Sequence, residues 1–131
     1  MDQVAAAQFA NFMGRSYQNM AVQLGDYLHQ SIGNIPNEQV SILSDDQTRL
    51  ISYSNTFFAL SDTIAFEGAD VYFKNVQDAT GAINDALKHI EKVDKVIRIS
   101  AQVITLAGGI VSKNPGMIGG ALSALKDEIK I

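Results

Sequence analysis

The stretch Ala107–Leu122 reads AGGIVSKNPGMIGGAL and carries glycines on both sides of a proline. The residue before a proline is disfavoured in helical geometry, whereas proline itself suits the first position of a helix. Asn114-Pro115 therefore marks the boundary between two helices. On each arm, small residues recur at four-residue steps, which places them on one helical face. They are Ala101, Thr105 and Gly109 before the boundary, and Gly116, Gly120 and Ala124 after it.

These two strips of small residues predict an antiparallel helical hairpin whose backbones approach closely. Glycine costs roughly 1 kcal/mol of helix propensity relative to alanine, so close packing of the two helices would offset a real penalty. The same strips occur in lipid, but both arms are shorter than the roughly 20 apolar residues that span a bilayer. We therefore expect this hairpin to pack within a soluble bundle, with shallow insertion of residues 101–125 into lipid as the alternative.

The N-terminal quarter of the chain predicts one long helix over about 3–32. Its apolar side chains recur at three- and four-residue steps, which is the spacing of one helical face. Asp2 can cap the start of this helix, and Gly33 followed by Pro36 can end it.

The middle of the chain predicts two further long helices. Ser44 and Gln47 have the spacing of a capping box, which predicts a helix start at residue 44. A near-heptad apolar pattern, typical of coiled coils, then continues without proline. Asp78–Gly81 combines capping residues with a glycine, so we place a break there and expect helices over about 44–78 and 80–112.

Taken together, these segments predict one all-α domain over residues 1–131. We expect an elongated bundle of three long helices, with a short C-terminal helix over about 115–129 that completes the glycine-rich hairpin. A chain of 131 residues with a hydrophobic fraction of 47% can bury a single core.

Charge and composition narrow the classes of partner. The formal net charge is −4 and no basic run is present, which argues against nucleic acid, because clustered Lys and Arg supply most of that affinity. The chain has no cysteine, which removes disulfides and thiolate metal sites. The N-terminus lacks the basic start and continuous apolar core of a signal peptide. We expect a cytoplasmic protein, with export by a signal-peptide-independent route as the alternative.

The sequence offers no constellation for catalysis. Asp26 with His29 and Asp85 with His89 have metal-ligand spacing, but both pairs fall on polar helix faces, which favours solvated surface pairs. Neither a phosphate-binding loop nor a nucleophile elbow is present. We therefore predict that the protein is not an enzyme and has no catalytic residues, metal site or cofactor.

The aromatic residues of the second predicted helix point to association instead. Phe57, Phe58, Phe66 and Phe73 spread around the helix, which predicts apolar surface on more than one side. These four residues are the candidate oligomer contact. We expect a non-enzymatic helical interaction or assembly protein that self-associates, or binds a helical partner, through apolar helix faces. The alternative is a membrane-active protein, such as a pore-forming toxin or a surface coat, that inserts the 101–125 hairpin into lipid.

Overall fold

A computed structural model describes residues 2–90 and 92–130 of this chain. Over these residues the regular structure is helical and no strand is present, so the prediction of an all-α fold is confirmed. The described part holds five α-helices and one 3-10 turn: α1 (Gln3–Ser31), α2 (Asn37–Leu60), the 3-10 turn (Ser61–Ile64), α3 (Ala69–His89), α4 (Val93–Val111) and α5 (Pro115–Ile129).

Side-chain caps fix the starts of the first and last helices. Asp2 Oδ1 accepts a hydrogen bond from Ala5 N at 2.7 Å, which satisfies one of the free N–H groups of the first turn of α1. At α5, Asn114 Oδ1 accepts from Met117 N at 3.1 Å and Pro115 occupies the first helical position. Both starts agree with the sequence expectations.

The second helix begins earlier than the sequence pattern predicted. Pro36 has a φ of −58° and its carbonyl accepts from Gln39 N and Val40 N, so α2 starts at Asn37. Ser44 lies inside this helix, where its carbonyl accepts from Thr48 Oγ1 at 3.2 Å. The predicted capping box at residue 44 is therefore wrong, because the proline upstream already starts the helix.

The predicted helix over 44–78 is also interrupted. Ser61 adopts a φ of +50° and stops α2 at Leu60. After the 3-10 turn, Gly68 adopts a φ of +78° and precedes α3. Positive φ is costly for residues other than glycine, so the backbone at Ser61 is locally strained. No pattern in the sequence predicts this conformation.

The predicted break at Asp78–Gly81 is wrong, because α3 runs through it without interruption. Thr80 is buried and its hydroxyl donates to Val76 O at 2.6 Å, which satisfies the threonine inside the helix rather than at a cap. The residues of the helix predicted over 80–112 belong to two helices instead. Helix α3 ends and α4 begins on either side of Ile90 and Lys92, which both have extended backbone conformations. Glu91, between these two, lies outside the described residues.

The five helices form a closed ring. α1 packs against α2 and α3, α2 also packs against α4, and α5 lies against both α3 and α4. Neighbours in the chain are antiparallel in the α1/α2 and α4/α5 pairs, whereas α2 and α4 run parallel. The chain exposes 6951 Å², close to the roughly 6,800 Å² expected for a compact monomer of 14.2 kDa. The bundle is therefore compact rather than elongated.

Aromatic side chains fill the centre of the ring. Phe9 of α1 stacks on Phe73 of α3 with ring centroids 3.9 Å apart. Tyr17 of α1 meets Phe57 of α2 edge to face at 5.1 Å. All four side chains are fully buried or nearly so, so α1 carries the largest share of the aromatic core.

Candidate interaction surface

The structure brings only one of the predicted hairpin glycines into close contact. A Cβ on Gly109 would lie 3.0 Å from the backbone nitrogen of Ile118 and 3.2 Å from the Cβ of Met117. By contrast, a Cβ on Gly120 would meet nothing within 4 Å, and one on Gly116 would meet only the capping Asn114 Oδ1 at 3.6 Å. The predicted seam is therefore present at Gly109 and absent at Gly116 and Gly120.

The larger apolar residues explain this difference. α5 buries Ile118, Ala121, Leu122 and Leu125, and burying a large aliphatic side chain is worth about 1.5–3 kcal/mol. Residues two positions apart in a helix point in nearly opposite directions. Because Ile118 faces the core, Gly116 and Gly120 face outward.

The small-residue strip on α4 becomes more exposed toward its N-terminal end, where Ala101 and Ala124 of α5 line an open depression rather than a close seam. Steps of four residues drift by about 40° each, because a helix has 3.6 residues per turn. Ala101 is consequently exposed and Thr105 half-buried, while Gly109 is buried. Ala124, on the facing helix, is half-buried.

The predicted aromatic contact divides between core and surface. Phe57 and Phe73 lie in the chain's own core and have no exposed surface to offer another chain. Phe66 is half-buried and meets Phe73 edge to face at 5.6 Å. Phe58 alone among the four is 40% exposed. The oligomer contact predicted from all four residues is therefore not available as a unit, and Phe58 is the member that remains.

Phe58 belongs to a close seam between α1 and α2. Its ring atoms lie 2.7 Å from the position that a Cβ on Gly14 would take, and Ser54 Oγ donates to Gly14 O at 2.6 Å. At one end of the seam, Gln47 of α2 contacts α1, and its Nε2 donates a hydrogen bond to Ala21 O at 3.1 Å. Because Gly14 has no side chain, the Phe58 ring packs directly against the α1 backbone.

The α1/α2 face is the outer surface along this seam. It collects four of the most exposed large apolar side chains, which are 40–68% exposed, together with small and amide side chains. Phe58 lies midway along it, between a depression at the α1 N-terminus and a second depression beyond Gln18. The face consists of Val4, Ala7, Asn11, Gln18, Val22, Ile51, Asn55 and Phe58.

This face carries little charge compared with other surfaces of the bundle. The depression beyond Gln18 is lined without a charged side chain, and the one at the α1 N-terminus includes a single one, Asp62. Other depressions carry more, such as Lys92 and Lys95 where α3 meets α4. Arg15 is exposed on the same side of α1 as Val22, between Asn11 and Gln18, so one cationic side chain lies midway along the face.

Sequence reasoning missed two buried polar contacts that join the α1/α2 pair to α4. Asp46 is 5% exposed and accepts from Ser100 Oγ at 2.9 Å, while Arg49 approaches its carboxylate at 3.5 Å. Tyr17 is fully buried and donates to Val103 O at 2.7 Å. Burial, and the neighbouring Tyr53 to a smaller extent, raise the pKa of the Tyr17 phenol above its ordinary value.

The candidate chemical residues give no site. His89 and Asp85 form an exposed pair at 3.8 Å, and Asp26 and His29 are exposed on α1. Across residues 2–90 and 92–130, no group of three or more His, Cys, Asp or Glu side chains is placed to hold a metal ion.

The α4/α5 pair has its charges at its two ends. Arg98 Nε and Glu128 Oε1 pair at 2.7 Å at one end, and Lys113 lies at the turn. Between residues 99 and 125, Lys113 is the one charged residue of the sequence. Within the described part of the chain, no helix combines the length and hydropathy needed to cross a bilayer.

Comparisons with known proteins found no match among protein-family models, curated proteins or solved structures.

Proposed function

We propose that this chain is a non-enzymatic helical interaction protein that self-associates through an apolar helix face. The observation that carries this proposal is the α1/α2 face, where exposed Val, Ile and Phe side chains gather on a bundle whose core is already filled. Exposed apolar side chains that cluster on one surface, rather than scatter singly, are typical of interaction sites. This face replaces the four-phenylalanine contact expected from the sequence.

The partially exposed Phe58 is the expected anchor of the interaction. Aromatic residues are over-represented among the side chains that dominate binding energy, particularly near the centre of an interface. The Phe58 ring already packs against Gly14, which restricts its conformation. It therefore loses little conformational freedom when a partner covers it.

The second candidate function is membrane association through the α4/α5 pair. Its support is the uncharged run on both sides of Lys113, together with exposed Gly116, Gly120 and Met117 on α5. In this function the Arg98–Glu128 pair would remain at the water-facing end while the turn entered the interfacial region of the bilayer.

Sedimentation of the full chain with and without liposomes tests both functions. We expect the weight-average mass to rise with protein concentration in the absence of lipid, and to be unaffected by phosphatidylcholine–phosphatidylglycerol vesicles. A chain that stays monomeric at several hundred micromolar contradicts self-association. Co-sedimentation with the vesicles, lost when Met117 is changed to Glu, supports the second function instead.

A further inference from the structure

We propose that a depression at one end of the bundle, where α3 ends, α4 begins and α5 ends, binds a small amphipathic anion. This ligand has a carboxylate or phosphate head and a short apolar tail. The site is called the basic depression, and its lining residues are Ala86, His89, Ile90, Lys92, Lys95 and Ile129. It shares no residue with the α1/α2 face, so its test does not depend on self-association.

The two lysines of the basic depression have no counter-ion within the part of the chain that the structure describes. Lys92 is exposed and Lys95 is half-buried, and neither takes part in an ion pair with a described residue. No described carboxylate lines the depression. A partly buried cation loses some of its hydration, so an opposite charge beside it is stabilising. An anion from solution can supply that charge.

The described carboxylates on the neighbouring helix segments have other partners or face elsewhere. They are Asp85, Asp94, Asp127 and Glu128. Asp94 Oδ1 accepts a hydrogen bond from Gln39 Nε2 of α2 at 3.3 Å. Glu128 pairs with Arg98 beside a different depression, which Asp127 also lines. Asp85 pairs with the rim histidine at 3.8 Å. None of the four lines the basic depression, so the lysines face it without a competing carboxylate from these segments.

The position of the lysines in α4 is a further reason to expect an anion. Lys92 is the N-cap residue of α4 and Lys95 lies in its first turn, and no side-chain hydrogen bond caps this end. The N-terminal end of a helix has a partial positive charge, which repels cations and attracts anions. Asp94 is the acidic residue of this turn and offsets only part of that charge. At the C-terminal end of α3, by contrast, Lys88 and His89 complement the helix dipole.

The remaining lining residues define the tail of the ligand. Ala86, Ile90 and Ile129 are half-buried and form an apolar wall. The depression has a volume of about 370 Å³, at the lower end of the range for small-molecule sites. A short alkyl or aromatic group can cover this wall while the head group meets the lysines. A lysine ammonium acts as a point charge, so a carboxylate and a phosphate both suit it.

Titration of the isotope-labelled full chain, followed by backbone amide chemical shifts, tests the site. The probes are octanoate and octyl phosphate. We expect at least one of them to give saturable shifts at Ala86, Ile90 and Ile129. Octanol has the same tail without the charge, and inorganic phosphate has the charge without the tail. Each should bind about tenfold more weakly, because each lacks one of the two contacts.

Four variants test the role of the lysines. Lys95→Met removes the charge and should weaken binding by about tenfold, which is the typical contribution of a hydrogen bond to a charged group. Lys92→Met, at an exposed position that does not endanger the fold, should weaken binding in the same direction. Lys74→Met, on the exposed surface of α3, is the matched control. This control and the charge-preserving Lys95→Arg should bind like the parent, and circular dichroism checks that every variant stays helical.

Several results would overturn the proposal. One is the absence of saturable shifts at the basic depression with both probes. Another is binding of octanol or inorganic phosphate as tight as that of the amphipathic anions. Unchanged affinity in both Lys92→Met and Lys95→Met, or an equal loss in Lys74→Met, would contradict it as well.

Discussion

The α1/α2 and α4/α5 pairs are both antiparallel and both contain glycine, but their glycines have different surroundings. In α1/α2, side chains of α2 fill the space beside α1, with Phe58 against Gly14 and Gln47 within 2.5 Å of a Cβ placed on Gly25. In α4/α5, Gly109 meets the backbone of α5, whereas Gly120 faces open space. Glycine in a helix therefore marks a candidate contact, and the positions of the large apolar side chains decide whether that contact forms.

The largest expected effect concerns one of the two buried polar contacts between the pairs, the hydrogen bond from Tyr17 of α1 to Val103 O of α4. Burial raises the folded-state pKa of Tyr17 above the ordinary value of 10.0, so above pH 10 the unfolded chain loses a proton that the folded chain keeps. Stability is therefore retained below pH 10 and lost as the pH rises, at about 1.4 kcal/mol per pH unit.

Urea melts of the parent and of Tyr17→Phe between pH 8 and pH 11.5 check this expectation. The phenylalanine variant should be less stable at pH 8 by about 1 kcal/mol, because it lacks the hydrogen bond to Val103 O. Its free energy of unfolding should then fall less steeply above pH 10 than that of the parent. Parallel curves would show that Tyr17 does not link the two helix pairs in this way.

A smaller effect is expected at the tight point of the α4/α5 pair. Gly109→Ala places a methyl group against the Ile118 backbone, which cannot move aside as a flexible side chain can. Overpacking costs about 1–3 kcal/mol and exceeds the gain in helix propensity, which is up to about 1 kcal/mol. We expect a net loss of about 1–2 kcal/mol in denaturant melts. A variant as stable as the parent would mean that α4 and α5 do not approach closely at this residue.

The smallest expected effect has the opposite sign. Gly120→Ala adds a methyl group where no atom lies within 4 Å, so the gain in helix propensity should appear as stabilisation of up to about 1 kcal/mol. The same melts measure it, with Gly109→Ala as the contrasting variant. Destabilisation at Gly120 would restore the close seam that the sequence pattern predicted on both arms.

Local signals in the sequence predict some boundaries and not others. The starts of α1 and α5 are predictable because their signals act within a few residues. Asp2 caps the first turn of α1, and Pro115 occupies the first helical position of α5. The stop at Ser61 has no such signal, since a serine at positive φ is held by surrounding structure rather than by its own preference. The break between α3 and α4 also has no local signal in the sequence, because neither glycine nor proline occurs between Gly81 and Gly108.

The candidate surface could have been found in part from the sequence. Gly14 and Gly25 are separated by three helical turns, so they share a face of α1, and a small-residue face on a long helix predicts a close neighbour. Asp46 likewise falls at an apolar position between Leu43 and Leu50, which marks a buried polar group. The exposure of Phe58 and the burial of Phe57 depend on which helix faces which, and a single sequence does not specify that.

Concentration-dependent sedimentation of two matched variants is the most direct test of association through the α1/α2 face. Val22, on this face, and Val71, on α3, are 54% and 68% exposed, so Val→Arg at each adds the same charge at a solvent-exposed apolar site. We predict that the parent and Val71→Arg share one monomer–dimer equilibrium, and that Val22→Arg needs about tenfold more protein to reach the same dimer fraction. Equal dimerisation by Val22→Arg and the parent, or selective loss in Val71→Arg, would contradict the account.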